Sequence, residues 1–177
     1  MQEIVRGPLE RAKLVTDIAT PWIGTVALIG AGIFSMFQYL ENEKGNRVKE
    51  TLTFLDRYNK TPFLDARRNI SIMWEKNAEK RDVLLKANPF PESEFDALVI
   101  KIIGDEKLQL DMSLTIEFFE SLEVCVKKNI CDADTAIQFF QPEAIAFYRL
   151  YLAHIESLRS QHTPRYGIGL EKFTERK

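Results

Sequence analysis

The sequence predicts an all-α protein with a single N-terminal transmembrane helix followed by a small antiparallel helical bundle. The first observation behind this prediction is a run of 23 residues, Ile18 to Leu40, that carries no charged side chain. The second is that apolar residues in the rest of the chain recur at spacings of three and four, which is typical of amphipathic helices. The third is that no later segment alternates apolar and polar residues as a half-buried strand would.

The uncharged run, residues 18–40, is long enough to cross a bilayer. A helix that spans about 30 Å of hydrocarbon needs about 20 mainly apolar residues. Thr20 is a candidate N-cap and Pro21 suits the first helical position. Trp22 and Tyr39 stand near opposite ends, as expected for the aromatic anchors of the two membrane interfaces. A buried helix of a soluble core and a cleaved signal peptide are the alternatives, and the length of the run favours a retained membrane helix over both.

Small side chains follow one side of this predicted helix. They recur at spacings of three and four and are Thr20, Gly24, Ala27, Ala31 and Ser35. Because lipid provides little hydrophobic drive for helix association, transmembrane helices gain contact by packing closely across small residues. We therefore expect this side to pack against a helix of a partner transmembrane protein or of a second copy. The alternative is a chance pattern, since small residues are common in such helices.

Charge on the two sides of the anchor predicts its orientation. Residues 1–17, an N-terminal tail that is either frayed or a short interfacial helix, contain three basic residues, whereas five lie within twenty residues after the anchor. The positive-inside rule then places the C-terminal domain in the cytoplasm, by a small margin, and the protein in the cell inner membrane. Cys125 and Cys131 are expected to be core or half-buried thiols, which agrees with a reducing compartment.

The remaining segments follow the helical spacing. Residues 41–60 are predicted to form a juxtamembrane helix that continues from the anchor, with Gly45 as a joint. Residues 61–160 are predicted to form the helical bundle, and residues 161–177 a C-terminal tail.

Within the bundle, proline and glycine mark the expected helix ends. One helix is expected from Pro62 to about Lys86, before the stop at Asn88-Pro89. Pro142 is expected to break or kink the chain before the last long helix. Gly167-Ile168-Gly169 is expected to be a turn, since it lacks the third glycine and the strand-to-helix setting of a phosphate-binding loop.

Three segments resemble an uncharacterised bacterial family, a domain of unknown function. They are TLTFLDRYNKTPFLDARRNI, FFESLEVCVKKNICDADTAIQFF and AFYRLYLAHIESLRSQHTPRYGIGLEKF. The similarity covers most of residues 47–174, and Gln141-Pro142 departs from it. The resemblance implies a short, membrane-anchored protein with an all-helical cytoplasmic domain, and it carries no activity to transfer.

No catalytic or metal-binding pattern is found in the sequence. The two histidines, His154 and His162, and the two cysteines lack the spacing of a zinc site. We therefore expect no catalytic residue, no metal and no cofactor, and hence no enzyme. The net charge of −2 also disfavours a nucleic-acid binder, which would show a basic excess.

Arginines at the start of the predicted bundle and just before it are candidates for contact with lipid or a partner. Arg57, Arg67 and Arg68 could approach anionic lipid, and ion pairs within the bundle are the alternative. The predicted tail has a mild basic excess, which would either touch the inner leaflet or remain solvated.

These observations lead to an expected function. We expect a non-enzymatic, membrane-anchored interaction protein that acts as an accessory or scaffold subunit of a larger membrane complex. The alternative is a self-oligomerising membrane effector or sensor, for example in stress or phage defence. An enzyme with an unrecognised site has the least support.

Overall fold

The fold is all-α, as predicted from the sequence. The computed structural model describes the backbone of residues 8–161 and 163–177, and the side chains of residues 31–161 and 163–177. These ranges form seven helices and no strand. The helices are α1 (Pro8–Tyr58), α2 (Phe63–Lys76), α3 (Ala78–Leu85), α4 (Glu92–Asp105), α5 (Gln109–Lys127), α6 (Ala133–Gln161) and α7 (Ile168–Thr174).

The long first helix, α1, spans several of the predicted segments. It is continuous over 51 residues, so most of the predicted N-terminal tail is helical from Pro8 onward, and residues 1–7 lie outside the described part. The chain divides into two compact units, Met1–Gly45 and Asn46–Lys177. The boundary falls at Gly45, the predicted joint, although the backbone there remains helical.

The predicted transmembrane helix, residues 18–40, is only partly covered by the description. Where side chains are described, no helix is long and apolar enough to cross a bilayer. The reason is that only residues 31–40 of the uncharged run fall in that part, and Glu41, Glu43 and Lys44 follow directly. Residues 18–30 lie outside the described side chains, while residues 31–40 are all exposed.

The core of the second unit is built around α5. Buried side chains recur along it at spacings of three and four: Met112, Ile116, Phe119, Leu122 and Val126. This spacing places them on the side of α5 that meets α2, α6 and α7. Each buried side chain of this size contributes about 1.5–3 kcal/mol. The helical periodicity of the sequence is thus explained by burial against three neighbouring helices.

The end of α1 belongs to the same core. Phe54 and Tyr58 are buried, and their ring centroids lie 5.8 and 4.4 Å from that of Phe118 in α5. Thr51 is fully buried, and its Oγ1 accepts a 2.9 Å hydrogen bond from the backbone N–H of Asp132 at the start of α6. The predicted juxtamembrane helix therefore contributes directly to the bundle.

The single helix predicted from Pro62 to Lys86 is divided in two. Asn77 has φ −106° and ψ 17°, outside the helical range, and separates α2 from α3. Its side-chain Nδ2 donates to the carbonyl of Met73 at 3.0 Å. Asparagine side chains compete with the backbone for hydrogen bonds in this way, which disfavours helix interiors. The prediction of one helix was wrong because it considered only the spacing of apolar residues.

Pro142 does not end a helix. It lies inside α6, which runs without interruption for 29 residues. A proline in a helix interior costs about 3 kcal/mol. Here its ring is exposed, and buried Phe140 and Ala144 fix the helix on both sides of it. Tertiary packing therefore outweighs the local cost. Of the two predicted outcomes, a break and a kink, the break was wrong.

The segment predicted as a C-terminal tail, residues 161–177, is not a solvated tail. Gly167 has φ 70° and makes the expected turn, and α7 follows it. Leu170 and Phe173 of α7 are completely buried. Basic residues that were expected to face lipid or water instead form ion pairs: Arg159 with Glu171 at 2.7 Å, and Arg176 with Glu123, whose Nη2 and Oε1 lie 2.8 Å apart.

The two cysteines are paired, which corrects the prediction of free thiols. Cys125 and Cys131 form a disulfide with a Cα–Cα distance of 5.2 Å, and both are buried as expected. Asn129, at φ 56°, reverses the chain after α5, and the backbone N–H of Cys131 donates to the carbonyl of Cys125. The turn thus brings together two side chains whose sequence spacing matched no disulfide framework.

A glycine allows α7 to approach α5 closely. A methyl group at Gly169 would lie 2.8 Å from the Cα of Glu120 and 2.9 Å from its Cγ. We expect Gly169→Ala to lower the free energy of unfolding by about 1–3 kcal/mol, because the backbones must move apart. Urea unfolding of the full-length protein, followed by circular dichroism, measures this change.

Gly104 in α4 provides the matched control. Among the described atoms, none lies within 4 Å of a methyl group placed there. Gly104→Ala is expected to raise the free energy of unfolding by about 0.5–1 kcal/mol through the helix preference for alanine. Equal effects of the two substitutions would contradict the close approach of α7 to α5.

Candidate functional site

A cleft between α2, α5 and α6 is a candidate site among the described residues. Its volume is about 240 Å³. The apolar part of its lining consists of Ile70, Trp74, Ala146, Phe147, Leu150 and Tyr151. The polar part consists of Arg67, Ser71, Thr115 and Glu143. We call this site the α2–α6 cleft.

The sequence spacing of two helices explains why these side chains converge. The α2 members occupy positions 67, 70, 71 and 74, and the α6 members positions 143, 146, 147, 150 and 151. Residues three and four apart share one helix face. Each helix therefore presents one continuous stripe that begins with a charged residue and is mainly apolar beyond it, and the two stripes line the same cleft.

Aromatic side chains form the apolar wall. The indole of Trp74 stacks on Phe95, with ring centroids 6.1 Å apart, and its Nε1 donates a 2.7 Å hydrogen bond to the hydroxyl of Tyr151. The ring of Tyr151 also lies 4.7 Å from that of Phe147. Burial raises the pKa of Tyr151 to about 12, although the bond from Trp74 acts in the opposite direction. This phenol is therefore neutral at physiological pH, and the wall carries no charge.

Arg67 forms the polar end of the cleft. Its Nη2 donates to the carbonyl oxygen of Tyr58 at 2.8 Å and to Oδ1 of Asn59 at 3.2 Å. Its guanidinium carbon lies 3.9 Å from the centre of the Tyr58 ring, an arrangement that favours a cation over an aromatic face. These contacts hold the guanidinium in one position.

The pairing of Arg67 with Glu143 is loose. Its Nη1 lies 3.8 Å from Oε1 of Glu143, which is beyond hydrogen-bond distance, and the Glu143 side chain is 47% exposed. Within the described residues, the buried Nε of Arg67 has no hydrogen-bond partner. Burial raises the pKa of Tyr58, and hydrogen bonding to Glu143 together with the negative charge of that carboxylate raises it further, so the hydroxyl retains its proton.

Other polar residues that could carry chemistry are dispersed. His154 in α6 is buried, its Nε2 has no partner among the described side chains, and burial lowers its pKa. His162 lies outside the described residues. In residues 31–161 and 163–177, no three His, Cys, Asp or Glu side chains are placed to hold a metal ion.

A family model, Domain of unknown function (DUF4760), matches residues 25–176, which is most of the chain. The chain belongs to the DUF4760 family. The resemblance seen in the sequence over residues 47–174 is thereby confirmed at the level of an uncharacterised domain family. Comparison with curated proteins and with solved structures gave no match.

The DUF4760 match includes both the cleft and part of the predicted anchor. Of the residues predicted to pack or anchor the membrane helix, Thr20, Trp22, Gly24 and Ala27 lie outside the described side chains. Ala31, Ser35 and Tyr39 are described, and all three are exposed on α1.

The structure separates the three arginines predicted to contact lipid or a partner. Arg67 is half-buried at the cleft. Arg57 is exposed, with its guanidinium carbon 5.3 Å from the centre of the Phe54 ring, and Arg68 is exposed on α2. Of the three arginines, only Arg67 lines the cleft. For the exposed Arg57 and Arg68, contact with lipid or a partner stays a prediction.

Several cleft residues of this DUF4760 chain were not singled out in the sequence. Glu143, Phe147 and Tyr151 follow one another at spacings of four, which indicates a single helix face. That face mixes a carboxylate with aromatic rings and matches the stripe headed by Arg67 in α2. The sequence contains this signal, but nothing in it indicates that α2 and α6 are neighbours.

Proposed function

We propose that this chain is a membrane-anchored, non-catalytic interaction protein that serves as an accessory or scaffold subunit of a larger membrane complex. The observation that carries the proposal is the exposure of α1 between residues 31 and 40. The large apolar side chains of this stretch are 48–68% exposed: Ile33, Phe34, Met36, Phe37, Tyr39 and Leu40. Contiguous exposed apolar surface of this kind marks contact with a membrane or a partner.

The apolar character of residues 31–40 continues in the sequence before residue 31. The uncharged run begins at Ile18, so the exposed stretch forms the last part of a segment long enough to cross a bilayer. Removing a large apolar side chain from water is worth about 1.5–3 kcal/mol, so six such residues supply a strong drive towards lipid or protein. Membrane lipid and a partner transmembrane protein, or a second copy, are the proposed contacts.

Small residues supply the proposed surface for the partner helix. Ala31 and Ser35 are exposed and lie four positions apart, so they share one side of α1. Thr20, Gly24 and Ala27 continue this stripe in the sequence. Small side chains let two helix backbones approach closely, which is the main source of contact energy between helices in lipid.

The expected result of enlarging this surface is loss of the partner. Ala31→Leu combined with Ser35→Leu should abolish co-purification of a stoichiometric partner in a gentle-detergent pull-down analysed by mass spectrometry. The variant should remain in the membrane fraction, because leucine increases apolar character. Phe34→Leu combined with Phe37→Leu, which alters other positions of the same stretch, is the control and should retain the partner. Unchanged co-purification of the first variant would contradict the proposal.

Two observations bear in opposite directions on the orientation of the bundle. The excess of basic residues after the anchor supports the cytoplasmic side of a bacterial inner membrane. The Cys125–Cys131 disulfide supports an oxidising compartment, because disulfides rarely persist in a reducing cytoplasm. The oxidation state of these cysteines in cells therefore decides the orientation.

The α2–α6 cleft favours a second candidate function, a self-oligomerising membrane effector or sensor. A sensor needs a place for a signal molecule, and the cleft combines an apolar wall with a fixed cation. Recovery of the protein alone as a defined oligomer would support this candidate. So would toxicity on overexpression that is lost when residues 18–40 are deleted.

A further inference from the structure

We propose that the α2–α6 cleft binds a small carboxylate with an apolar, aromatic body. This inference does not rest on membrane anchoring, since every residue that carries it belongs to the unit Asn46–Lys177. It also specifies a ligand class that the accessory-subunit proposal does not require.

The polar end of the cleft has more hydrogen-bond donors than acceptors. Arginine carries five N–H groups. Only Nη2 of Arg67 has partners at hydrogen-bond distance among the described residues, and its buried Nε has none. The available acceptor, Glu143, stands 3.8 Å from Nη1. A ligand that brings acceptor oxygens would satisfy this end of the cleft.

The fixed position of Arg67 favours a carboxylate in particular. A guanidinium presents its N–H groups in a planar fork that matches the two oxygens of a carboxylate. The stacking on Tyr58 and the hydrogen bonds to the Tyr58 carbonyl and the Asn59 side chain already hold this fork, so binding costs little further ordering of the side chain. The incoming carboxylate takes the place of Glu143, whose exposed side chain is free to turn into water.

The rest of the cleft determines the body of the ligand. Beyond Arg67 the lining is aromatic and aliphatic, with Trp74, Phe147 and Tyr151 as its largest members. Aromatic rings pack favourably against such a wall. The volume of about 240 Å³ is below the ~300–1,000 Å³ of typical drug-sized sites, so the occupant is a single-ring compound or one of similar size.

The fluorescence of Trp74 provides a direct test. The chain has two tryptophans, Trp22 and Trp74, so Trp22→Phe leaves Trp74 as the only reporter. Full-length protein in detergent is titrated with 3-phenylpropionate and, separately, with its uncharged analogue 3-phenylpropanol. We expect a saturable change with the acid and at least about tenfold weaker binding of the alcohol, because a charge-assisted hydrogen bond is lost.

Variants of the polar end test the role assigned to Arg67. Arg67→Gln should weaken binding of the acid by about tenfold or more. Arg68→Gln removes the same charge at an exposed neighbouring position and should leave binding unchanged, which controls for non-specific attraction of the acid to the protein in detergent. Glu143→Gln should tighten binding several-fold, since it removes a competing and repelling carboxylate. Circular dichroism monitors whether Arg67→Gln still folds. If it does not, Glu143→Gln, a substitution at an exposed side chain, still tests the proposal.

Three results would overturn the inference. They are the absence of a saturable Trp74 response to the acid, equal affinities for acid and alcohol, and unchanged affinity in Glu143→Gln. None of them would affect the accessory-subunit proposal, whose test is the loss of a partner from Ala31→Leu with Ser35→Leu.

Discussion

Phe173→Ala is expected to lower the free energy of unfolding by about 3–5 kcal/mol, the usual cost of truncating a buried phenylalanine. Phe173 is completely buried although it lies only four residues before Lys177, and its ring stacks on Phe119 of α5 with centroids 6.3 Å apart. Removing the ring leaves a cavity between α5 and α7. Urea unfolding of the full-length protein, followed by circular dichroism, measures the loss.

Phe139 is the matched control for this substitution. It lies in α6 with 47% of its surface exposed, so Phe139→Ala removes the same atoms without leaving a cavity. Its effect should stay within about 0.5 kcal/mol. If both variants unfold at the same urea concentration, the last residues do not belong to the core and behave as the tail predicted from the sequence.

Loss of the Cys125–Cys131 disulfide is expected to cost about 2–3 kcal/mol, because the bond closes a short loop and restricts the unfolded chain. Cys125→Ala combined with Cys131→Ala should show this loss in urea unfolding. Dithiothreitol should produce a similar loss in the unmodified protein and none in the double variant, which serves as its control. A stability of the unmodified protein that does not respond to dithiothreitol would contradict the prediction.

The same cysteines report on orientation in the cell. Alkylation of intact cells followed by denaturation and a mass-shift assay distinguishes thiols from the disulfide. If the disulfide is found, the bundle faces an oxidising compartment, and the orientation favoured by basic residues is reversed. If both thiols are alkylated, the cytoplasmic orientation is supported, and the bond forms only outside the reducing environment.

Local rules predicted the parts of the fold that depend on neighbouring residues. Pro62 and Pro89 were expected to bound helices, and α2 begins directly after the first while α3 ends before the second. Proline restricts its own backbone and that of the residue before it, so its effect on a helix boundary can be predicted from the local sequence alone. The spacing of apolar residues in α5 was equally clear, since that helix is surrounded by three others.

Distant contacts account for the parts that could not be predicted. Arg67 was predicted either to approach lipid or a partner or to form ion pairs within the bundle, and its position is set by the carbonyl and ring of Tyr58 at the end of α1. The Trp74–Tyr151 hydrogen bond joins residues 77 positions apart. Phe173 was placed in a predicted tail because the sequence does not show that its ring packs on Phe119 of α5. For Trp74 and Phe173 the deciding partner is far away in the sequence, and for Arg67 it lies nine positions away in a different helix.

The burial of Thr51 has a practical consequence for anyone who cuts this protein. Its side chain ties α1 to the start of α6, while Phe54 and Tyr58 fill the core beside it. A fragment designed on the predicted boundary at residue 61 would lack all three and expose the ring of Phe118. The natural place to separate the apolar N-terminal segment from the bundle is between Gly45 and Asn46, in the middle of a helix rather than at a loop.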